Sequence, residues 1–497
     1  MGIIIRQSIK GTLFTYIGAI IGFFTTFYII PKYIGEELYG LTRVIFEAGF
    51  LFAMIFQLGA PSSIIRFFSH FKSKEKGHNG FFFYMICLIS IGFFIFIPTF
   101  FLLKQPIINY FSQQSPLFVD YLYWLIPLTF FLIYWMSFEV YSNVLMRIAI
   151  PKFIREILIR VLFLFIYLAY AGGYIGLTEF ITAYVGVYGV AMLITLIYIL
   201  RTGSVTLKHD WKFITPPLRK EFLSYSSIII TGTLGGSLLS RVDLFMISSE
   251  IGLASAGIYA IAFNIVSVME MPSRSITSIS TPIAADSLKR GDFDQVNELY
   301  KKVSIHQLLT GSIVFLLIWI NINNIYAIIP NGDVYGTAKW VVLFMGIAKL
   351  MEITISFGGV MISFSKFYHW SLYFTFFITA LNIFLNWILI PRFGISGAAI
   401  ATTCSCLISY SLQQWLVLFK IKANPYSKAT LKIIILIGCV LGINEVLIIF
   451  ANPWLDILFR TSIICIVMFA YIYFAKISEE ANGLINNFVF KLRKWKK

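Results

Sequence analysis

GTLFTYIGAIIGFFTTFYII, residues 11–30, is an uncharged apolar stretch that ends at Pro31 and Lys32. The hydrocarbon core of a bilayer is about 30 Å thick, and an α-helix needs roughly 20 apolar residues to cross it. No water is available there to pair with backbone N–H and C=O groups, so a segment that crosses must satisfy them internally as a helix. The stretch therefore predicts a transmembrane helix.

Further apolar stretches of similar length follow it, and together they predict an all-α polytopic membrane protein with about 14 transmembrane helices. The composition agrees, because 59% of the 497 residues are hydrophobic and 12% are charged, whereas soluble domains average about 25% charged residues. The predicted spans are 11–30, 41–65, 81–103, 121–146, 156–173, 179–200, 223–249, 256–283, 303–329, 337–363, 370–390, 395–419, 432–450 and 456–475.

Lysine and arginine are distributed unevenly between alternate loops. Of the 39 Lys and Arg residues, 30 fall in loops or at span ends on one side of the predicted membrane, five in loops or at span ends on the other side, and four deeper within spans. Loops rich in Lys and Arg stay in the cytoplasm, so we expect both termini to be cytoplasmic and the number of spans to be even. The net charge of +16 then reports orientation, and we expect membrane lipids and no nucleic acid as partners. The basic tail 476–497 is expected to contact anionic headgroups.

Two glycine patterns occur twice, separated by nearly the same number of residues. Small residues of this kind allow transmembrane helices to pack closely. Their repetition six spans apart predicts two six-helix lobes of one orientation, related by a pseudo-two-fold axis along the membrane normal. The patterns are Gly18-x-x-x-Gly22 with Gly232-x-x-x-Gly236, and Ile34-Gly35-x-x-x-x-Gly40 with Ile251-Gly252-x-x-x-x-Gly257.

The repeat and the loops predict a division of the chain into five parts. Two appended helices follow the second lobe, and a cytoplasmic linker containing Pro216-Pro217 joins the lobes. The predicted parts are the N-terminal lobe 1–205, the linker 206–222, the C-terminal lobe 223–420, the two appended helices 421–475 and the basic tail 476–497.

Five short motifs follow one another along the chain in a characteristic order. They are Tyr33-Ile34-Gly35-x-x-x-Tyr39-Gly40, 58–67 (LGAPSSIIRF), Arg241-Val242-Asp243 before Gly257-Ile258-Tyr259-Ala260, Met269-Glu270-Met271-Pro272 and 390–399 (IPRFGISGAA). With these motifs the chain resembles, over nearly its whole length, the MOP exporter superfamily, and most closely its polysaccharide biosynthesis (Wzx-type) flippases.

This resemblance implies transport across a membrane rather than an enzymatic reaction. It implies a flippase that moves undecaprenyl-pyrophosphate-linked oligosaccharide units across the inner membrane by alternating access, for cell-surface polysaccharide or lipopolysaccharide biosynthesis. Polysaccharide polymerases would then be partners. An ion-coupled multidrug exporter of the same fold and a lipid II flippase are the alternatives.

Charged residues inside the predicted spans are the candidate site. A charge within a bilayer costs several kcal/mol unless it has a partner or a watery cavity. Arginine makes forked hydrogen bonds to phosphate oxygens and keeps its charge when partly desolvated. We therefore predict that Arg241, Arg274, Arg43 and Lys349 bind a pyrophosphate. The alternative is that these cations are neutralised by nearby acids one helical turn away, as the Arg43–Glu47, Arg274–Glu270 and Lys349–Glu352 spacings allow.

Arg241 differs because no acid lies three or four residues from it. It should therefore face a cavity, or pair with an acid on another helix such as Glu47. The acids Glu47, Glu139, Asp243 and Glu270 are candidates for coupling to H⁺ or Na⁺, with the membrane potential alone as the alternative. No nucleotide-binding motif is present, and we expect no metal, no cofactor and no catalytic residues. Asp292-x-Asp294 resembles a metal motif, but we interpret Asp292 as a helix cap.

Overall fold

The computed structural model describes residues 2–73, 77–202, 205–206, 214–239, 241–478, 480 and 482–483. Within these residues every regular element is a helix, which confirms the all-α prediction. The chain forms two compact units, Met1–Ile258 and Tyr259–Lys497. Residues 207–213 of the predicted linker and most of the predicted basic tail, 484–497, lie outside the described residues.

The first unit contains eleven α-helices and the start of a twelfth within the described residues. They are α1 (Gly2–Phe24), which continues as a π-helical segment (Thr25–Ile34), α2 (Glu36–Phe56), α3 (Ala60–Phe71), α4 (Phe81–Phe111), α5 (Pro116–Asp120), α6 (Leu125–Val144), α7 (Ala149–Phe153), a π-helical segment (Ile154–Leu158), α8 (Ile159–Ala171), α9 (Leu177–Arg201), α10 (Pro216–Leu239), α11 (Val242–Glu250) and α12 (Leu253–Ser267).

Aromatic side chains form much of the packing in this unit. Tyr141 of α6 is fully buried, and its ring lies 5.0–6.3 Å from the rings of Phe68, Phe81 and Phe82. Lipid tails are as apolar as these side chains, so close van der Waals contact, rather than escape from water, holds such helices together. This aromatic packing connects α3, α4 and α6.

The second unit holds the remaining helices. They are the end of α12, α13 (Glu270–Arg290), α14 (Phe293–Ile320), α15 (Ile322–Ile328), α16 (Gly332–Gly336), α17 (Lys339–Phe364), α18 (His369–Leu416), which continues as a π-helical segment (Val417–Ile421), α19 (Lys428–Val446) and α20 (Pro453–Ala475). Its core includes the buried Tyr300, whose hydroxyl hydrogen is shared between two acceptors, Gln414 Oε1 at 2.7 Å and Ile355 O at 3.2 Å. These bonds satisfy a polar group that would otherwise be costly to bury.

Local sequence signals explain several helix ends. Asp292 accepts a hydrogen bond from the backbone N–H of Gln295 at 3.0 Å, which confirms its prediction as the cap of α14. Ser427 and Thr430 form a capping box at the start of α19. Asn452 accepts from the backbone of Trp454 at the start of α20. Each side chain satisfies N–H groups that have no partner within the helix.

Eleven helices of the described residues are long and apolar enough to cross a membrane, or twelve if the bent pair α12 and α13 forms one span. One of them, His369–Ile421, has 53 residues and would be about 80 Å long if straight. It breaks at Gly394, with φ 60° and ψ −140°, between the predicted spans 370–390 and 395–419. A side chain would be strained there. A polytopic all-α fold is therefore confirmed, and the number 14 stays a prediction.

The compact units do not coincide with the lobes predicted from the repeat. Most of α10 and all of α11 fall in the predicted C-terminal lobe, yet these helices contact α2, α3 and α4 and belong to the first unit. Contacts between neighbouring helices define a compact unit, whereas sequence similarity defines a repeat. The lobe boundaries 1–205 and 223–420 therefore stay predictions.

Candidate functional site

Three charged side chains meet in the first unit. Glu47 of α2 lies 2.6 Å from Nη2 of Arg43, one helical turn before it. Its other oxygen lies 2.8 Å from Nε of Arg241. Arg241 stands at the break between α10 and α11, where its backbone leaves the helical conformation (φ −129°). The predicted pairing of Arg43 with Glu47 is confirmed, and so is the alternative in which Arg241 pairs with Glu47.

Among the ion pairs of the described residues, this Arg43–Glu47–Arg241 cluster carries more positive than negative charge. One carboxylate serves two guanidinium groups, and the side chains of Glu47 and Arg241 are only 13% and 14% exposed. Arg241 also donates from Nη1 to the Ser237 carbonyl at 3.0 Å, and its guanidinium lies 4.5 Å from the centre of the Phe50 ring. A surplus cation held inside membrane-spanning helices attracts an anion, because the low dielectric strengthens the interaction.

The other two acids predicted in this unit lie elsewhere. Glu139 of α6 lies 2.9 Å from Arg155, which also contacts Glu156 at 3.4 Å. Glu156 in turn lies 3.1 Å from Arg160. In this second set two acids balance two cations. Asp243 is buried in the first turn of α11, two residues beyond Arg241.

The second unit contains a balanced charge cluster. Nζ of Lys349, on α17, lies 2.5 Å from Glu270 and 2.6 Å from Glu352. Arg274 lies 2.6 Å from Glu270, and its side chain is 79% exposed. The predicted pairs Arg274–Glu270 and Lys349–Glu352 are confirmed. The pair between Lys349 and Glu270 joins α17 to α13, and helical spacing could not have shown it.

Substitution of Lys349 by methionine should destabilise the second unit. It would leave Glu270 and Glu352 facing each other without the cation between them, at an expected cost of about 2 kcal/mol. Thermal unfolding of the purified protein should show a lower Tm, and Glu352→Gln in the same chain should restore part of it. The matched control is Lys302→Met, which breaks an exposed pair with Glu298 and should change Tm little. Equal effects of the two substitutions would contradict a structural role for Lys349.

The glycines of the first predicted pattern have unequal surroundings. A Cβ at Gly18 would overlap the Glu156 carbonyl, and one at Gly22 would lie 3.1 Å from Arg160 Nη1. Both therefore allow α1 to approach the helix that contains those residues. A Cβ at Gly236 would meet no atom of the described residues within 4 Å, and the close contact predicted there stays a prediction. The packing role of Gly232 stays a prediction.

The second glycine pattern makes the closest contact. A Cβ at Gly40 would overlap the carbonyl of Leu253, and a Cβ at Gly257 would overlap the carbonyl of Glu36. Gly257 and Leu253 each lie 217 residues after Gly40 and Glu36. The two contacts are therefore reciprocal, as a two-fold relation between repeats requires. We name this Gly40/Gly257 contact the outer contact, after the side of the membrane on which the charge pattern places it.

A second contact lies at the other end of α2 and α3. Ser63 and Ser226 share a hydrogen bond of 3.1 Å, and Arg66 pairs with Glu221 at 2.8 Å. Arg66 also stacks on the ring of Tyr225 at 4.4 Å. This inner contact joins α3 to α10, which is the first helix after the predicted linker. Helices from the two predicted repeats therefore contact each other at two places within the first unit, the outer contact and the inner contact.

Comparison with known proteins identifies the family of this chain. The family model "Polysaccharide biosynthesis protein" matches residues 4–288, more than half of the chain. The chain belongs to this family. In sequence, the chain is similar to the probable low-salt glycan biosynthesis flippase Agl15 of Haloferax volcanii, with 22% identity over 286 residues. The match covers 54% of this chain and 60% of that protein.

Solved structures extend the likeness to the whole fold of this polysaccharide biosynthesis family member. The lipid II flippase MurJ, in an inward closed conformation, matches with a TM-score of 0.76 and 16% identity, covering 95% of this chain and 100% of MurJ. An inward-facing MATE multidrug resistance transporter of the MOP superfamily matches with a TM-score of 0.62 and 14% identity, covering 79% and 92%. The predicted MOP superfamily fold is confirmed.

Proposed function

We propose that this protein is a flippase that moves lipid-linked oligosaccharide units across the membrane, with undecaprenyl pyrophosphate as the lipid carrier. The main support is the Arg43–Glu47–Arg241 cluster, which keeps a surplus positive charge within membrane-spanning helices. A pyrophosphate is the group that such a cluster would attract, because guanidinium groups form strong hydrogen bonds with phosphate oxygens. The family and the glycan flippase relative support the same substrate class.

Two contacts in the first unit support the proposal of alternating access. The outer contact brings the starts of α2 and α12 together, and the inner contact joins α3 to α10. For a substrate to enter from a given side of the membrane, the contact on that side must open while the contact on the other side stays closed. The exposed Arg66–Glu221 pair is a weak bond and can part at low cost. The backbone approach at Gly40 and Gly257 has no side chain to move aside.

Coupling to an ion rests on the predicted acids. Glu47 and Glu270 are each shared between two cations, which occupies their carboxylates as ion-pair partners. Glu139 contacts the cation Arg155, and Asp243 is buried near the helix break. We propose Glu139 and Asp243 as the stronger candidates for H⁺ or Na⁺ coupling. Transport driven by an imposed pH or sodium gradient would separate these ions from the potential alone.

The decisive experiment is transport in sealed vesicles. Purified protein reconstituted with a lipid-linked oligosaccharide should move its sugar to the opposite leaflet, where a membrane-impermeant lectin or glycosidase detects it. Deletion in cells should cause the same lipid-linked sugar to accumulate in the inner leaflet. The rival exporter function predicts instead that deletion increases sensitivity to drugs and leaves lipid-linked sugars unchanged. That result would replace the flippase proposal.

The proposed orientation in the inner membrane makes a separate prediction. Reporter fusions at Lys497 and within 207–213 should report cytoplasm, and a fusion at Asn331, between α15 and α16, should report the outer side. The reason is the concentration of Lys and Arg in the loops placed on the cytoplasmic side. An outer signal from either cytoplasmic site would contradict the even number of spans.

A further inference from the structure

A polar cavity of about 290 Å³ lies in the second unit, apart from the charge cluster around Lys349. It is formed where α14 ends, α17 begins, and the turn between α19 and α20 passes over them. Its polar lining includes Arg460, Asp456, Lys339 and Asn444, and its apolar lining includes Leu447 and Ile449. The charge pattern places these helix ends on the outer side of the membrane. The α19–α20 hairpin is the part of the chain that the internal repeat does not include.

Arg460 is the buried cation of this cavity, with 7% of its side chain exposed. Its Nε donates to Asp456 Oδ2 at 2.7 Å, and its Nη1 donates to Asn444 Oδ1 at 2.7 Å. Among the described residues its third nitrogen, Nη2, has no hydrogen-bond partner. A buried guanidinium that is fixed on two sides and lines a cavity therefore has a charged donor left for a ligand.

Asp456 does not compete for that donor. Its Oδ2 also accepts from Asn324 at 2.5 Å, and its Oδ1 accepts from the backbone N–H of Phe450 at 2.9 Å. Both carboxylate oxygens are thus bound to groups of the protein. The network holds Arg460 in one geometry, which lowers the entropy that binding would otherwise cost.

Lys339 supplies a second cation at the cavity. Its Nζ lies 5.6 Å from the centre of the Trp319 ring, a position that leaves its hydrogens for other acceptors. Glu445 also lines the cavity, but this residue is exposed and is therefore screened by water. The cavity therefore offers two cations, the buried Arg460 and the half-buried Lys339, with donors available to one anionic group.

We infer that this cavity binds the phosphate of a lipid in the outer leaflet. Arg460 is the eighth residue of α20, which puts it roughly 10 Å from the helix start, in the outer part of the hydrocarbon core, below the headgroups. The cations fit a phosphate, and the neighbouring apolar wall fits the chains of the same molecule. The lipid is either an ordinary phospholipid or a polyprenyl carrier, and the second source rests on the proposed flippase function.

Lipid-dependent thermal stability tests this site without using transport. The full-length protein in detergent is titrated with polyprenyl phosphate, with phosphatidylglycerol and with diacylglycerol, which lacks phosphate. The phosphate lipids should raise Tm, since they bind the folded state, and diacylglycerol should not. Lys339→Gln should raise the half-saturating concentration about tenfold. The matched control is Lys104→Gln, a cation predicted on the same side that contacts Tyr123 in the first unit, and it should change nothing.

A double variant tests Arg460 without stranding its partner. Asp456→Asn with Arg460→Gln removes both charges together, so no buried charge is left unpaired. We expect it to fold and to lose the phosphate-dependent shift. If polyprenyl phosphate has a lower half-saturating concentration than phosphatidylglycerol, the ligand is the polyprenyl carrier. If the two half-saturating concentrations are equal, the ligand is ordinary phospholipid. Equal shifts with diacylglycerol, or wild-type titrations of both variants, would overturn the site. Neither result would alter the transport rate that tests the flippase proposal.

Discussion

Arg241→Ala should remove most of the transport activity while leaving the protein folded. Glu47 would keep Arg43 as its partner at 2.6 Å, so no buried carboxylate would be stranded, and Tm should fall only slightly. The surplus positive charge, however, would disappear. Losing one charge-assisted hydrogen bond of about 1.5–3 kcal/mol to the pyrophosphate should slow transport roughly 10- to 100-fold. Transport in vesicles, normalised to folded protein, measures this loss.

Companion variants separate charge from geometry at the same cluster. Arg241→Lys keeps the charge without the fork and should retain part of the activity. Arg241→Glu would place a second acid beside Glu47 and should abolish transport. The exchange Glu47→Arg with Arg241→Glu keeps the net charge, so activity in this variant would show that the potential alone matters. Transport by Arg241→Ala at the wild-type rate and abundance would refute both a substrate role and a structural role for Arg241.

Gly40→Ala and Gly257→Ala should each stop transport, although each adds a single methyl group. The new Cβ would overlap a backbone carbonyl, of Leu253 or Glu36 respectively, and a backbone atom cannot move aside as a flexible side chain can. Such overpacking typically costs 1–3 kcal/mol. The starts of α2 and α12 would be forced apart, so the outer contact would no longer close.

Thiol labelling from outside reads the state of the outer contact directly. In a background without the five native cysteines, a cysteine at residue 254 should react faster with an impermeant reagent when Gly40→Ala is present. Gly186→Ala is the matched control, since a Cβ there meets open space among the described residues. Normal transport with unchanged labelling in both glycine variants would show that closure of the outer contact is not required.

The sequence alone determined those properties that depend on neighbours along the chain. Hydropathy predicted the polytopic all-α fold, because each span must satisfy its own backbone hydrogen bonds. Helical spacing predicted the pairs Arg43–Glu47, Arg274–Glu270 and Lys349–Glu352, because residues three or four apart lie on the same face. Asp292 was predicted as a cap from its position before a helix. Each of these interactions joins residues that lie within one or two helical turns of each other.

The tertiary structure decided which residues on other helices these charged side chains contact. Arg241 pairs with Glu47 from 194 positions away, and Lys349 pairs with Glu270 on another helix. Glycine patterns alone could not rank Gly236 below Gly40, because close approach depends on what stands opposite the missing side chain. Charge and packing partners across helices are set by distances in space. Those distances arise only when the whole bundle has packed, and the linear pattern does not contain them.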